Sequence, residues 1–189
     1  QGYEFEKIFP GCRIIDIHEY LLEKGITLGG PSGVDGGAPG YLFHDPCHSP
    51  MKLREPLTTV KALVGENVRK SDRCCGESGT FGISRPDIAT QVRFRKEEEL
   101  RRDEAALRSM IAAGPAATAA PVGVKGNLKI LTSCPSCLQG LQRYKGDLVN
   151  GLLEADYIVV EMANRILGED WLPEYVERAN DGGIERVLV

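Results

Sequence analysis

Short apolar runs alternate with stretches of helical periodicity along most of the chain. Four of the apolar runs predict strands: Tyr41–Phe43, a short run near Val68, Leu128–Thr132 and Tyr157–Val160. Apolar positions at helical spacing predict helices over Ile14–Lys24 and Pro56–Gly65, a long helix from Ser84 to about Ala112, a helix after Cys137 and one over Glu161–Leu167. Strands that alternate with helices predict an α/β domain with a small, mainly parallel sheet flanked by helices.

Two segments interrupt this pattern. Residues 29–40 contain six glycines and two prolines and are predicted as a flexible loop. Its glycines follow no strand and open no helix, so they do not fit a nucleotide-binding motif. An insert rich in alanine and proline is predicted at about 101–126. The whole chain, 1–189, is interpreted as one domain, with Ile184–Val189 as a candidate edge strand.

The predicted long helix has two notable features. Its start, with Ser84 followed by Pro86 in the first turn, is similar to a capping box. Between Arg93 and Glu104, opposite charges recur three and four residues apart. This stretch is interpreted as a solvated helix face held by weak ion pairs.

Five of the six cysteines follow predicted strands. Cys47 comes after the first strand, Cys74 and Cys75 after the second, and Cys134 and Cys137 after the third. The carboxyl ends of parallel strands meet at one edge of the sheet, and open sheets bind ligands in the crevice there. We therefore expect these five cysteines to converge on a metal site at the carboxyl ends of the strands.

The surroundings of these cysteines suit metal binding. Cys134 lies at the predicted start of a helix, where free backbone N–H groups and the helix dipole favour the thiolate. After the adjacent cysteine pair, Gly76, Gly79 and Gly82 allow the backbone to approach a bulky inorganic ligand and to donate N–H bonds to sulfur.

The number of thiols favours a multi-iron cluster over a single zinc ion. A structural zinc site is complete with four ligands, whereas this chain offers five. The adjacent pair Cys74 and Cys75 would chelate one ion with strain but can bind two metals of a cluster. A zinc site stays open as an alternative. So does thiol–disulfide chemistry at Cys134 and Cys137 alone, which would leave three cysteines unexplained.

The arrangement of these cysteines resembles the CCG-type cysteine-rich domain. The strings that carry the resemblance are HDPCH around Cys47, CCGESGTFG from Cys74 and SCPSC ending at Cys137, and the similarity spans about residues 41–160. Such domains occur in heterodisulfide reductase and in the iron–sulfur subunits of glycolate and lactate oxidases. They also occur at the C-terminal ends of some large FAD-linked oxidases.

The resemblance implies an electron-transfer module of an oxidoreductase, of the 2-hydroxy-acid oxidase or heterodisulfide reductase type. Its cofactor would be a [4Fe–4S] cluster, which is non-cubane in heterodisulfide reductase. The implied ligands are Cys47, Cys74, Cys75, Cys134 and Cys137. The implied partner is a flavoprotein domain or subunit that carries FAD, and the chain would be the C-terminal part of a FAD-linked oxidoreductase. The alternative is a structural zinc domain that mediates a protein–protein contact. No catalytic residue is assigned.

Two spacings depart from the family pattern. Only 26 residues separate Cys47 from Cys74, fewer than is usual, and 58 separate Cys75 from Cys134, more than is usual. The predicted insert explains the longer gap by looping out. The shorter gap makes Cys47 the ligand that departs most from the family. Members also often carry two such signatures, and this chain has one.

Other residues with ligand chemistry are given ordinary roles. Cys12 is interpreted as a small buried structural residue. His18 and His44 are expected to satisfy local hydrogen bonds, and His48 is interpreted as a turn residue that at most hydrogen-bonds a ligand sulfur. Glu77 is expected to be a solvated loop carboxylate.

Charge and composition exclude several classes of function. A net charge of −4 offers no basic face to nucleic acid. No apolar run approaches the roughly 20 residues of a membrane helix, and the N-terminus lacks the features of a signal peptide. Grouped cysteines without an export signal predict a reducing, cytoplasmic location. Because the chain does not begin with methionine, we expect it to be a segment of a longer protein.

Overall fold

The structure, a computed structural model, describes residues 5–28, 40–77, 81–113, 128–145 and 154–181. A four-stranded sheet lies between two layers of helices, which confirms the predicted α/β class. The strands are β1 (Gly40–His44), β2 (Val68–Ser71), β3 (Leu128–Thr132) and β4 (Glu154–Tyr157). The helices are α1 (Phe5–Ile8), α2 (Ile17–Glu23), α3 (Pro56–Val64), α4 (Phe81–Ser84), α5 (Pro86–Ala112), α6 (Pro135–Gln142), α7 (Ile158–Leu167) and α8 (Trp171–Asp181), with a 3₁₀ turn at Arg143–Lys145.

The sheet is parallel throughout and has the order β2-β1-β3-β4. The chain moves from β1 to β2 on one side, and from β3 to β4 on the other. The direction therefore reverses between β1 and β3. In open parallel sheets, the crevice beyond the carboxyl ends at such a reversal is where ligands bind. The last residues of the four strands are register partners: Ser71, His44, Thr132 and Tyr157.

Alternation along the strands divides the core between the two faces of the sheet. On one face, α5 and α6 pack against Leu42 and Ile130. On the other face, α3 and α7 pack against Tyr41, Phe43 and Leu131. Because both faces are covered, the central strands are apolar at successive positions rather than at alternate ones.

One predicted strand is wrong in position. The fourth strand is Glu154–Tyr157, and the apolar run that begins at Ile158 is the start of α7. Ile158 and Met162 are buried four residues apart, so the run supplies the buried face of a helix. A short apolar run cannot be assigned to strand or helix from periodicity alone.

The start of α5 also differs from the prediction. Ser84 ends the short helix α4, and Arg85 precedes α5 without a side-chain capping bond. Pro86 occupies the first turn as predicted. Within the described ranges, no helix combines the length and the apolar character needed to cross a membrane.

Residues 101–112 of the predicted insert form the second half of α5. Leu107 is fully buried in the core, and a side chain at Gly40 of β1 would collide with Ile111 of α5 and Leu128 and would press on Leu107. This half of α5 therefore packs tightly on β1. Residues 114–126 of the insert lie outside the described residues, as do 29–39 of the glycine-rich segment and the candidate edge strand, Ile184–Val189.

A Leu107→Ala substitution tests whether the end of α5 belongs to the core. Removing this buried side chain leaves a cavity against β1, and we expect the free energy of unfolding to fall by about 2–5 kcal/mol. The matched control is Met110→Ala, three residues along the same helix and exposed, which should change stability by no more than about 0.5 kcal/mol. Urea denaturation measures both, and equal effects would contradict this packing.

Candidate metal centre

The structure places all five predicted cysteines beyond the carboxyl ends of the strands. Cys47 follows β1, Cys74 and Cys75 follow β2, and Cys134 lies between β3 and α6. Cys134 is the residue before the helix, as predicted, and Cys137 lies in its first turn. The parallel topology thus brings residues far apart in sequence to one edge of the sheet, at the reversal between β1 and β3.

Cys75 and Cys137 form a close buried pair beyond the strand ends. Their Sγ atoms are 3.4 Å apart, and the residues are only 3% and 6% exposed. A disulfide would require about 2.0 Å. Two thiolates bound to one tetrahedral ion at about 2.3 Å are about 3.8 Å apart. The pair is therefore spaced for two ligands of a shared metal.

His44 completes a buried group of three with these cysteines. It is the last residue of β1 and lies on the same face as Leu42, which packs beside both thiols. One ligand atom from each of His44, Cys75 and Cys137 lies within 4.8 Å of the other two. His44 was not among the ligand candidates from the sequence, although its position three residues before Cys47 was a usable signal.

Local hydrogen bonds were predicted for His18 and His44, and the prediction holds for only one of them. His18 Nδ1 lies 2.7 Å from Asp16 Oδ1, which confirms the prediction for that residue. For His44 the prediction is wrong, because neither ring nitrogen has a hydrogen-bond partner although the residue is 1% exposed.

The other three cysteines flank this buried group. Cys134 is half-buried and Cys74 is exposed, with the Gly76 N–H donating to the Cys74 sulfur at 3.4 Å. Partial burial raises the pKa of Cys74, and the neighbouring Cys47 and Cys75 act in the same direction. Cys47 itself is exposed. Cys47, Cys74 and Cys134 therefore lie around the buried pair, outside the group of ligand atoms that are within 4.8 Å of one another.

The buried thiol pair has one dominant protonation pattern. The hydrogen bond from Cys137 lowers the pKa of Cys75 despite its burial, and His44 adds to this effect. The same bond, together with burial and the neighbouring Cys134, raises the pKa of Cys137. These opposite shifts favour the thiolate form of Cys75, and thiolate is the form that binds metal.

Buried polar atoms without partners concentrate at this edge of the sheet. Of seven such side-chain atoms in the described part of the chain, six belong to residues that flank the cysteines: His44, Asp45, Ser49, Thr132 and Ser133. Each unsatisfied buried group costs about 1–3 kcal/mol, and folded proteins keep few of them. Together with the buried thiol pair, these atoms fit a bound inorganic group with sites for coordination and hydrogen bonds.

A buried ion pair from α5 holds the loop that carries Cys74 and Cys75. The Glu99 carboxylate accepts the backbone N–H groups of Asp72 and Arg73 at 2.9–3.2 Å. Lys96, which is fully buried, donates to Glu99 at 3.2 Å and to Ser71 at 2.6 Å. The loop leaves β2 in a direction set by these bonds, so α5 fixes the position of the cysteine pair.

The predicted solvated helix face is therefore wrong along one stripe of α5. Lys96, Glu99 and Asp103 are spaced by three and four residues and are buried. Burial lowers the pKa of Lys96, with Glu99 and Asp103 opposing it. Burial acts to raise the pKa of Glu99, but Lys96 and the two backbone N–H groups outweigh it. Elsewhere the prediction is confirmed, since Arg101 and Arg108 pair at 2.8 Å with glutamates four residues earlier.

A second buried glutamate holds the loop after Cys47 in the same way. Glu19 of α2 is 2% exposed, and its Oε1 accepts the backbone N–H groups of Leu53 and Arg54 at 2.7 and 2.9 Å. Each of the two loops therefore receives a carboxylate from a neighbouring helix. Backbone groups that no strand can pair are satisfied by side chains, which gives both loops a defined path.

The glycine after the cysteine pair is needed for its conformation. Gly76 has φ of 79°, a left-handed value that favours glycine. The next residue, Glu77, pairs with Arg143 and lies against Gly140 of α6, where a larger residue would collide with its side chain. The expectation of a solvated Glu77 is therefore wrong. Gly82 lies in α4 with open space around it, and Gly79 is outside the described residues.

The remaining sequence candidates lie at the surface. Cys12 is exposed, so the prediction of a buried structural cysteine is wrong. Its apolar neighbours Phe5 and Phe9 are themselves exposed, so no core forms there to bury it. His48 is exposed in the turn that contains Cys47, as expected of a turn residue.

The fold and site define a cysteine-rich domain with a candidate metal-binding group. The chain belongs to the CCG cysteine-rich domain family, whose model matches residues 41–142. A second family model, described as a domain of unknown function (DUF3400), matches residues 142–189. Because β4 comes from this second segment and pairs with β3, the sheet contains strands from both matched regions. No curated protein and no solved structure matches the chain significantly.

A Lys96→Met substitution tests the ion pair beneath the cysteine loop. It leaves the Glu99 carboxylate buried without its cation, and we expect the free energy of unfolding to fall by about 3–5 kcal/mol. A second change, Glu99→Gln in the Lys96→Met background, removes the unpaired charge and should recover part of the loss. The control is Arg95→Met, because Arg95 is exposed next to Lys96. A Lys96→Met protein as stable as this control would contradict the assignment.

Proposed function

We propose that this chain is an iron–sulfur electron-transfer module of an oxidoreductase. The proposal rests chiefly on the buried Cys75–Cys137 pair, whose Sγ atoms are 3.4 Å apart, at a sheet edge where three further cysteines follow the strands. One tetrahedral ion needs only four ligands, so five thiols and a histidine exceed what a zinc ion would use. Membership of the CCG family supports the same conclusion.

In this proposal the ligands are Cys47, Cys74, Cys75, Cys134 and Cys137, and the group bound is a [4Fe–4S] cluster, with the non-cubane form as the expected type. Such a cluster supplies one-electron chemistry when bound. The chain contributes fixed ligand positions, a buried thiol at Cys75 with a lowered pKa, and unpartnered donors and acceptors at the strand ends. Hydrogen bonds to sulfur and local burial are the means by which a protein adjusts a cluster's potential.

The two sides of the site differ in their exposure to solvent. Cys75 and Cys137 lie in the core, whereas Cys47 and Cys74 are exposed. The exposed side offers access for a redox partner, while the buried side protects the rest of the site from water. We propose a flavoprotein domain or subunit carrying FAD as that partner, in a FAD-linked oxidoreductase of which this chain is the C-terminal part.

The same difference in exposure fits two types of reaction. A centre reached only by electrons would serve a 2-hydroxy-acid oxidase, and one with an accessible metal position could act on a disulfide as in heterodisulfide reductase. A reducing cytoplasmic location would keep the free thiols available for either role.

A structural zinc domain is the second candidate, and one observation favours it. His44, Cys75 and Cys137 form a compact buried group suited to a single ion. With Cys134 beside Cys137, this group could supply a complete tetrahedral set. The site would then stabilise the strand ends and organise a protein–protein contact without redox chemistry.

Metal analysis of protein purified without oxygen separates the two candidates. The iron–sulfur proposal predicts about four irons with matching sulfide per chain and a brown chromophore that dithionite bleaches. One zinc per chain, with a colourless spectrum that dithionite does not change, would overturn it in favour of the structural role.

Single substitutions test whether the bound metal lies in this site. We expect Cys75→Ser and Cys137→Ser to lose most of the bound metal, because each removes one sulfur of the buried pair. Cys12→Ser is the matched control, since Cys12 is an exposed cysteine away from the strand ends and should retain full metal content. Equal losses in all three variants, or none, would contradict the proposed ligands.

A further inference from the structure

The end of β1 offers a ligand that is not a thiol. His44 is 1% exposed, and the alternation along β1 directs it to the face where Cys75 and Cys137 lie. The carboxyl edge is therefore not lined by sulfur alone. The imidazole of His44 is buried at this edge together with the two thiols.

His44 differs from the other two histidines in the chain. Neither of its ring nitrogens has a hydrogen-bond partner. His18 is also buried, but its Nδ1 is paired with Asp16 at 2.7 Å, and His48 is exposed. A buried imidazole normally hydrogen-bonds through its ring nitrogens or binds a metal. Of the three histidines, His44 alone lies beside other residues that could bind the same metal.

The distances fit direct coordination. A nitrogen of His44 and the sulfurs of Cys75 and Cys137 all lie within 4.8 Å of one another. Bonds of about 2.0 Å to nitrogen and 2.3 Å to sulfur would place all three around one metal after small side-chain movements. Metal-bound histidines usually pass their other N–H to an acceptor. Thr132, the register partner of His44 on β3, has an unpartnered Oγ1.

We propose that His44 is a nitrogen ligand of the metal centre, which would then have a mixed histidine and thiolate ligand set. This inference rests on the proposed metal centre but not on whether the metal is iron or zinc. A neutral imidazole at this position brings no negative charge to the centre, whereas a thiolate there would. Iron–sulfur centres with histidine in place of cysteine have higher reduction potentials. His44 would therefore influence the potential of the centre from its buried side.

The test detects the nitrogen directly. The metal-free chain is produced with ¹⁵N-labelled histidine and loaded with cobalt(II) without oxygen. Pulsed electron paramagnetic resonance then measures the coupling of ¹⁵N to the cobalt. We expect the strong coupling of a directly bound nitrogen in the unsubstituted chain. Weak coupling, as from a nitrogen that only hydrogen-bonds a sulfur, would overturn the proposal, and so would the absence of cobalt binding.

Substitutions identify which histidine produces the ¹⁵N coupling to cobalt. His44→Gln should abolish the ¹⁵N coupling and keep the sulfur-to-cobalt charge-transfer bands, because the two thiols remain. His48→Gln is the matched control and should preserve both signals. Coupling that persists in His44→Gln would contradict the assignment. The unsubstituted labelled chain already tests the ligand, so a poorly folded variant does not remove the test.

The His44 proposal and the iron–sulfur proposal can fail independently of each other. If the chain binds cobalt through nitrogen but takes up no iron and sulfide, the iron–sulfur proposal fails while the role of His44 stands. If the chain holds an iron–sulfur cluster but shows no strong nitrogen coupling with either metal, the cluster stands and the His44 proposal fails.

Discussion

The close approach of two buried thiols is the feature on which the site depends. Cys75 and Cys137 lie 3.4 Å apart in the core, and this contact lowers the pKa of Cys75 at the carboxyl edge of the sheet. Unpartnered polar atoms of His44 and Thr132 lie at the strand ends beside them. Such an arrangement costs folding free energy unless a cation or an inorganic cluster completes it.

The rest of the fold keeps these thiols in place. The reversal of direction between β1 and β3 opens a crevice at the strand ends, and the loops after β1 and β2 carry cysteines along it. Glu19 and Glu99 each hold one of these loops by two backbone N–H groups. Because Lys96 compensates Glu99 inside the protein, α5 serves both as a packing helix and as the support of the cysteine pair.

Much of this organisation could be predicted from the sequence. The strands before Cys47 and Cys134 were marked by short apolar runs, and the parallel class followed from their alternation with helices. The position of Cys134 at the start of a helix followed from the helical spacing of the residues after it. These features are local, so residue type and spacing contain the information that defines them.

The errors arose where the tertiary environment overrides residue type. Lys96 and Glu99 are charged residues that periodicity assigns to a helix surface, yet each has a partner that allows its burial. Glu77 and His44 were given ordinary roles because their neighbours, Arg143 and the buried thiols, lie far away in sequence. The boundary between β4 and α7 was misplaced because Ile158 is apolar and fits either element.

The central claim is that a metal centre occupies the carboxyl edge of the sheet between β1 and β3. Anomalous X-ray diffraction from crystals of oxygen-free protein, collected at the iron and zinc edges, tests it most directly. The account predicts a strong anomalous peak in contact with the sulfurs of Cys75 and Cys137. A disulfide between these two cysteines, or an anomalous peak only at another position, would contradict it.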